Sequence, residues 1–195
     1  MVTTVGIVAV DPVGPLTVPA GLARAEAIGN ALLAVPAADP RHDGRIPAAY
    51  RSTPLTGPAA VTMVDRTSDV GVVAWAGQAL VDLSVASGQS DYLAGAVSIG
   101  TGIQAHAADT RGAGGYTGGI TARGARIRWK STEHNIDLSV FVARLATETG
   151  SDLWSARAAS AHRSVTSMWD PATGSFSVGR PTTGSPPTTA DTPRT

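Results

Sequence analysis

The segment KSTEHNIDLS, from Lys130 to Ser139, concentrates side chains that could do chemistry. An acid, an imidazole, an amide and a second acid lie within five residues, at Glu133, His134, Asn135 and Asp137. Carboxylate and imidazole groups transfer protons near neutral pH, and an amide can donate and accept hydrogen bonds. Glu133 and Asp137 are one helical turn apart and would share a helix face. The segment therefore predicts one wall of a reactive or ligand-binding site.

The same residues also fit a simple helix start. Ser131 or Thr132 could cap the helix that follows, and Glu133 would be favoured in its first turn by the helix dipole. Capping does not require the imidazole and the amide as well, which favours a ligand-facing role for Glu133 or His134. Asp137 lies on an otherwise apolar helix, so it must face the site or be paired.

A second acidic group, Asp65 and Asp69, precedes the apolar run from Val70 to Ala86. Aromatic faces pack on the C–H groups of sugars, and carboxylates accept hydrogen bonds from hydroxyls, so acids beside aromatic residues suit neutral polyhydroxylated ligands. Asp69 has an alternative role as a helix N-cap, and Trp75 lies in an apolar run that also favours the core. The candidate substrate-binding residues are Arg45, Tyr50, Trp75, Tyr116, Trp129 and Asn135.

Composition excludes several function classes. The 195 residues carry 15 basic and 15 acidic side chains with no net charge, which gives no footprint for nucleic acid or a membrane surface. Cysteine is absent, and no HxxxH spacing supports a metal site, so no metal or cofactor is expected. The first 23 residues lack Lys and Arg, and apolar runs fall short of a membrane span. The default expectation is a cytoplasmic protein.

Hydrophobic periodicity predicts an all-α fold with five helices in one domain, residues 21–179. The predicted helices are residues 21–35, 70–86, 91–108, 132–149 and 152–169. Residues 1–20 contain three prolines and two glycines and should be irregular, and the Pro/Thr-rich residues 180–195 should be disordered.

An internal repeat organises these helices. LSVASGQSDYLAGA, from Leu83, matches LATETGSDLWSARA, from Leu145, at an offset of 62 residues. Each copy predicts an apolar helix, a glycine stop and a second helix, which is a repeated αα-hairpin. The turns within hairpins are short, whereas the connections 36–69 and 109–131 are long and would meet on one face, at the N-termini of the inner helices. The Gly-rich part of the second connection lacks a phosphate-loop pattern, and we expect it to be a flexible loop whose Tyr116 could touch a ligand.

The runs DGRIPAAY, SDVGVVAWAGQAL, GAGGYTGGI, WKSTEHNID and MWDPATGSFSVG together resemble bacterial proteins of the six-hairpin glycosidase-like superfamily. The resemblance implies an (α/α)6 toroid, of which this chain would supply about half. It also implies a site at the mouth formed by outer-to-inner loops, in a superfamily of glycoside hydrolases and sugar epimerases. Glu133, His134 and Asp137 carry over as motif positions. An open arc of hairpins would expose apolar flanks, so self-association is expected.

Three functions follow from these predictions. The first is a glycoside hydrolase with Glu133 as general acid, Asp65 or Asp69 as base, and His134 orienting the substrate. The second is a non-catalytic carbohydrate-binding or scaffold protein. The third is a sugar epimerase that uses His134 for proton transfer.

Overall fold

The computed structural model describes residues 18–39, 45–50 and 63–181. This part of the chain is largely α-helical, which confirms the predicted class. The helices are α1 (Val18–Ala38), α2 (Val70–Ser87), α3 (Ser90–Ala107), α4 (Thr132–Thr149) and α5 (Asp152–Thr166). The strands, none longer than three residues, are β1 (Ala49–Tyr50), β2 (Met63–Asp65), β3 (Ser68–Asp69), β4 (Gly119–Ile120), β5 (Arg126–Ile127), β6 (Lys130–Ser131), β7 (Trp169–Asp170), β8 (Ser175–Phe176) and β9 (Gly179–Arg180).

Helix boundaries differ from the predictions mainly at the two ends of the domain. α1 begins at Val18, inside the segment predicted to be irregular, because proline is tolerated in a first helical turn, where Pro19 lies. α5 ends at Thr166 rather than Trp169, because Trp169 enters a β-hairpin with Phe176. Arg180 belongs to β9 and Pro181 follows it, whereas residues 182–195 of the predicted tail lie outside the described residues, as do residues 1–17.

Two helical hairpins, α2–α3 and α4–α5, follow each other along the chain. α2 ends at Gly88 with φ 72°, and α4 ends at Gly150 with φ 64°. This left-handed conformation favours glycine, because a Cβ would be strained there. The two glycines are 62 residues apart, as are the starts of α2 and α4. Both hairpins therefore end their first helix with a left-handed glycine at the same position.

Helices α1 and α3 each pack, through a glycine, against the hairpin that follows in the chain. A Cβ added at either glycine would overlap the leucine and the aromatic ring that face it: Gly29 against Leu83 and Tyr92, and Gly100 against Leu145 and Trp154. Leu145 and Trp154 lie 62 residues after Leu83 and Tyr92. Helix α1 therefore packs on the first hairpin in the way that α3 packs on the second.

Helices α2 and α4 lie side by side and run in the same direction. Their contacts advance together along both helices, from Gly71 against His134, through Gly77 against Phe141, to an ion pair between Asp82 and Arg144. The glycines allow a close approach because they present no side chain to the facing ring. One continuous hydrophobic core fills the space between the helices, with Leu80, Val81, Tyr92, Ile99, Leu138, Phe141 and Leu145 among its most buried members.

The short strands bring the long connections together at the N-termini of α2 and α4. β3 pairs with β4, which pairs with β5, and β6 pairs with β9, all antiparallel. Strand β3 thus precedes the hairpin α2–α3 and pairs with β4, which follows it. In the same way, β6 precedes the hairpin α4–α5 and pairs with β9, which follows it. The helical periodicity used above could not detect strands of two or three residues, since an alternation needs about four.

Helix α2 is the one described helix that is long and apolar enough to cross a membrane by length and composition. It packs against α1, α3 and α4, and eight of its residues are buried. These contacts are those of a core helix, which passes the same test of hydropathy.

Candidate functional site

The mouth is the surface at the N-termini of α2 and α4, together with strands β3 to β6 and β9. Backbone hydrogen bonds connect the start of α2 to the long connection before α4: Val70 N–H donates to Gly118 O at 3.0 Å, and Gly118 N–H donates to Trp129 O at 2.8 Å. Gly119, with φ 123°, faces the Ser68 carbonyl so closely that a Cβ could not fit. The mouth is therefore a hydrogen-bonded structure, and the Gly-rich connection is held within it.

Trp75 on α2 and Glu133 and Asp137 on α4, all in the first two turns of their helices, form a group that we name the inner-face cluster. Trp75, predicted to contact the substrate with the core as the alternative, is 61% exposed, so the alternative is wrong. The apolar run around it is largely buried, but the Trp75 side chain itself is exposed to solvent. The Trp75 indole Nε1–H donates to Asp137 Oδ2 at 3.0 Å, which links α2 to α4 and orients the ring. Glu133 is exposed one turn before Asp137.

The pKa of Asp137 is raised. Burial is the main cause; the Trp75 hydrogen bond opposes it, and the Glu133 charge adds to it. A carboxyl of raised pKa beside an exposed carboxylate is the kind of pair that can act as an acid and a base. The pairing of Asp137 with Trp75 agrees with the expectation that this residue must face the site or be paired.

His134 is half-buried between α2 and the mouth. Its ring fills the space that a Cβ at Gly71 would occupy, with Cδ2 2.6 Å from that position, and it packs against Trp129 with 5.5 Å between ring centroids. Burial lowers the pKa of His134, which the Glu133 charge only partly offsets, so the imidazole is neutral at pH 7. Its Nδ1 is buried without a hydrogen-bond partner. The imidazole therefore packs between Gly71 and Trp129, and its Nδ1 is not exposed to solvent.

Asp65 and Asp69 lie at the mouth on the side of α2. Asp65 is exposed, and its Oδ1 accepts a hydrogen bond from Thr67 N–H at 2.8 Å. Asp69 occupies the N-cap position of α2 but makes no side-chain capping bond. Burial, reinforced by the Asp65 charge, raises the pKa of Asp69. Asp69 is the last residue of β3, two positions before Gly71, whereas Glu133 lies on α4, one position before His134.

Two predicted ligand contacts are instead parts of the core. Tyr116 is only 3% exposed, its hydroxyl donates to Gln104 at 2.7 Å, and burial raises its pKa to about 12. Asn135 is 1% exposed, accepts from Tyr116 N–H and donates to Tyr116 O and Ser131 O. Neither prediction fits this burial: the amide of Asn135 binds the Gly-rich connection to α4, since those backbone groups need partners.

Lys130, the single lysine of the sequence, anchors the same connection. It is 4% exposed, and its Nζ donates to Arg111 O at 2.8 Å and Gly114 O at 2.7 Å. Asp109 Oδ1 lies 3.9 Å away and pairs with Arg111 as well. Burial lowers the pKa of Lys130, and the Asp109 charge opposes this shift. The lysine therefore fixes the connection that we predicted to be flexible.

The remaining predicted residues lie around this centre. Trp129 is half-buried against His134, and Ser131 caps α4 by accepting from His134 N–H at 3.2 Å. Arg45 lines a cavity of about 20 Å³ with Ser68 and His106, which has room for a water but not for a sugar. The backbone of Tyr50 forms β1, while its side chain lies outside the described part of the structure.

The sequence reasoning missed two features of the inner face and mouth. Arg144 on α4 and Asp82 on α2 form an ion pair of 2.9 Å. The two residues are 62 positions apart, so the repeat offset places them at equivalent positions of adjacent helices and could have predicted the pair. Trp169 and Phe176 form an exposed aromatic pair, 5.0 Å between centroids, beside the strand that joins β6. Among the described residues, no three His, Cys, Asp or Glu side chains are grouped to hold a metal.

No family model matches the sequence, and no curated protein matches it. Solved structures do. A D-mannose isomerase superposes with TM-score 0.53 and 17% identity over 60% of this chain and 30% of its own. A sugar epimerase from a ruminal bacterium superposes with TM-score 0.55 and 17% identity over 64% of this chain and 34% of its own. At 17% identity, both are likenesses of fold. The matched part spans about a third of each neighbour.

Proposed function

We propose that this chain forms part of a toroid-type enzyme that processes carbohydrate, with the sugar bound at the inner-face cluster. The observation that carries the proposal is Trp75, whose indole is 61% exposed yet held in one orientation by Asp137. An exposed indole of fixed orientation offers a flat apolar surface for the C–H face of a sugar ring. The carboxylates beside it offer acceptors for the sugar hydroxyls.

The reaction that this cluster supports best is isomerisation or epimerisation. Both reactions require groups that remove a proton from a carbon and return one, and Glu133 and Asp137 are one turn apart on the same helix face. The raised pKa of Asp137 suits the acid, and exposed Glu133 suits the base. The two structural neighbours, a D-mannose isomerase and a sugar epimerase, support this class over hydrolysis.

His134 has a positioning role in this proposal. Its Nδ1 is buried and its ring is enclosed by Gly71 and Trp129, so Glu133 and Asp137 are better placed for proton transfer. The neutral imidazole holds the N-termini of α2 and α4 at a fixed separation. This differs from the expectation that His134 itself transfers the proton.

A second candidate is carbohydrate binding without turnover. It is favoured by the matched coverage, since about two thirds of each neighbour has no counterpart in the matched part of this chain. Hydrolysis is a third outcome, because two carboxyl groups are its minimum requirement.

Binding is tested by calorimetry with neutral aldoses and ketoses. Trp75→Ala should weaken binding about tenfold, the value of one aromatic contact. Trp169→Ala is the matched control, because Trp169 is also exposed but lies outside the cluster, and it should leave the affinity unchanged. Failure of every sugar to bind would reject the proposal.

Turnover is tested in deuterated water by following solvent deuterium into the bound sugar by NMR. Glu133→Gln and Asp137→Asn should each abolish exchange while retaining binding. Binding without exchange in the unaltered protein would identify the non-catalytic alternative. Release of new reducing ends from an oligosaccharide would identify a hydrolase.

A further inference from the structure

Trp75 and Asp137 meet at the same level of two parallel helices. Each is the sixth residue of its helix, and the two lie 62 residues apart, which is the offset of the repeat. Gly77, two residues after Trp75, faces the Phe141 ring so closely that a Cβ there would overlap it. This contact fixes the register of the two helices, so the indole and the carboxyl are held opposite each other.

The two oxygens of the Asp137 carboxyl have different environments. Oδ2 accepts a hydrogen bond from the Trp75 indole Nε1–H at 3.0 Å. Oδ1 accepts no hydrogen bond from the described residues and, unlike His134 Nδ1, it is not buried. Oδ1 is therefore the oxygen that is open to solvent and to a ligand.

We propose that Trp75 is a positioning residue for Asp137, whose indole N–H occupies Oδ2 and thereby places the acidic proton on Oδ1. This inference rests on the proposed function, in which Asp137 is the acid. A protonated carboxyl has one oxygen that carries the hydrogen and one carbonyl oxygen, which is the better acceptor. The indole N–H selects Oδ2 as the carbonyl oxygen, so the proton is delivered from Oδ1.

The same hydrogen bond assists the proton transfer itself. Glu133 takes the proton from the carbon beside the sugar carbonyl, and the electron pair of that C–H bond forms a C=C bond. The carbonyl oxygen takes the proton of Asp137 Oδ1, so the sugar becomes an enediol, Glu133 becomes protonated and Asp137 becomes a carboxylate. Return of a proton to carbon reverses these transfers. Negative charge arrives on Asp137 during the step, and a donor already bound to Oδ2 stabilises that charge.

The two roles of Trp75 do not compete. An indole N–H lies in the plane of its ring, so the hydrogen bond to Asp137 leaves the ring face free for a sugar. The Trp75 side chain is 61% exposed with this bond in place. Phenylalanine would keep an aromatic face and lose the donor, so Trp75→Phe separates the two roles.

The charge of Glu133 is the one that acts most directly on Asp137. The pKa of Asp137 is raised by burial, lowered by the hydrogen bond from the indole and raised by the Glu133 charge. The next charged side chains on α2 and α4, Asp82 and Arg144, lie seven residues further along and pair with each other. His134, three residues before Asp137, is neutral at pH 7. Loss of the indole donor and loss of the Glu133 charge should therefore shift the titration of Asp137 in opposite directions.

Carboxyl NMR of the free protein, titrated with acid, tests the hydrogen bond without any sugar. Asp137→Asn assigns the Asp137 signal by removing it. Trp75→Phe should move the Asp137 titration to higher pH, and Glu133→Gln should move it to lower pH. Trp169→Phe is the matched control, because Trp169 is also exposed but packs against Phe176, and it should leave the titration unchanged. An unchanged titration in Trp75→Phe would overturn the proposal.

The role in catalysis is tested by the rate of deuterium exchange into a sugar that binds. Trp75→Phe should lower kcat about tenfold, the value of a hydrogen bond to a charged group, with little change in KM. The limb of the pH profile at which Asp137 loses its proton should move to higher pH. A loss that appears in KM alone would contradict the positioning role. An absence of sugar binding, with the NMR shift intact, would instead reject the proposed function and leave the placement of the proton on Oδ1 standing.

Discussion

At the residue scale, the N-cap residues of α2 and α4 differ in whether their side chains accept a capping hydrogen bond. Ser131 caps α4 by accepting a hydrogen bond from His134 N–H, whereas Asp69, at the N-cap position of α2, makes no such bond. The sequence predicted both as capping candidates, and Ser131 was correct. Asp69 has its carboxylate partly buried beside Asp65 instead, an arrangement that only the strand pairing at the mouth creates.

Removing the Ser131 hydroxyl should therefore destabilise the protein, while neutralising Asp69 should not. Ser131→Ala is expected to lower the free energy of unfolding by about 1 kcal/mol. Asp69→Asn should hold or raise stability at pH 7, because a raised pKa means that the ionised form is disfavoured in the folded state. Urea unfolding of both variants measures the difference, and equal losses would contradict it.

His134 gives the protein an acid-sensitive stability. Because burial lowers its folded-state pKa, its contribution is complete above the unfolded value near 6.5 and is lost as pH falls through the folded value. His134→Phe should flatten the fall in unfolding free energy below pH 6.5 by up to about 1.4 kcal/mol per pH unit. His162→Gln, at an exposed position of α5, is the control. An unchanged slope in His134→Phe would contradict the assignment.

At the element scale, the separation of α2 and α4 is set by glycine. A Cβ at Gly77 would overlap the Phe141 ring, so Gly77→Ala should force the helices apart and cost about 1–3 kcal/mol. Phe141→Leu in the same chain should recover part of that loss, which a double-mutant cycle by thermal unfolding would reveal. Gly21→Ala is the control: nothing lies near its position in α1, so helix propensity should make it neutral or stabilising.

The Gly-rich connection is ordered by one lysine. Lys130→Met would leave the carbonyls of Arg111 and Gly114 without their donor, at a cost on the order of 1–3 kcal/mol. The exposed Arg111 should then be cleaved faster by trypsin than in the unaltered protein. Arg123→Gln, on the β4–β5 turn, is a control for stability that should not loosen the connection. Unaltered cleavage at Arg111 would show that Asn135 alone is sufficient.

At the scale of the whole molecule, the two hairpins and α1 share one hydrophobic core. Their unfolding should therefore be a single cooperative event. Val81→Ala, in the wholly buried centre of α2, should accelerate hydrogen exchange in α3 and in α5 by the same factor. Acceleration confined to α2 and α3 would show instead that the hairpins unfold as separate units, as in a repeat array.

Local sequence determined much of this protein. The helices of both hairpins, the glycine stops at Gly88 and Gly150 and the Ser131 cap follow from apolar periodicity and backbone preferences, which act between residues close in the chain. The motif from Lys130 to Ser139 was correctly taken as the start of a helix, which begins at Thr132. The different roles of its residues, with Asn135 buried against Tyr116 and Asp137 bound to Trp75, were not predicted.

Only the tertiary structure decided which of these polar and aromatic residues face outward. Trp75 is exposed and bound to Asp137, whereas Tyr116 and Asn135 are buried against each other, because strands too short to carry a periodic signal fold the Gly-rich connection back onto α4. Residue type restricts the chemistry available at a position. Whether that chemistry meets a ligand depends on contacts between residues far apart in the chain, which no local pattern records.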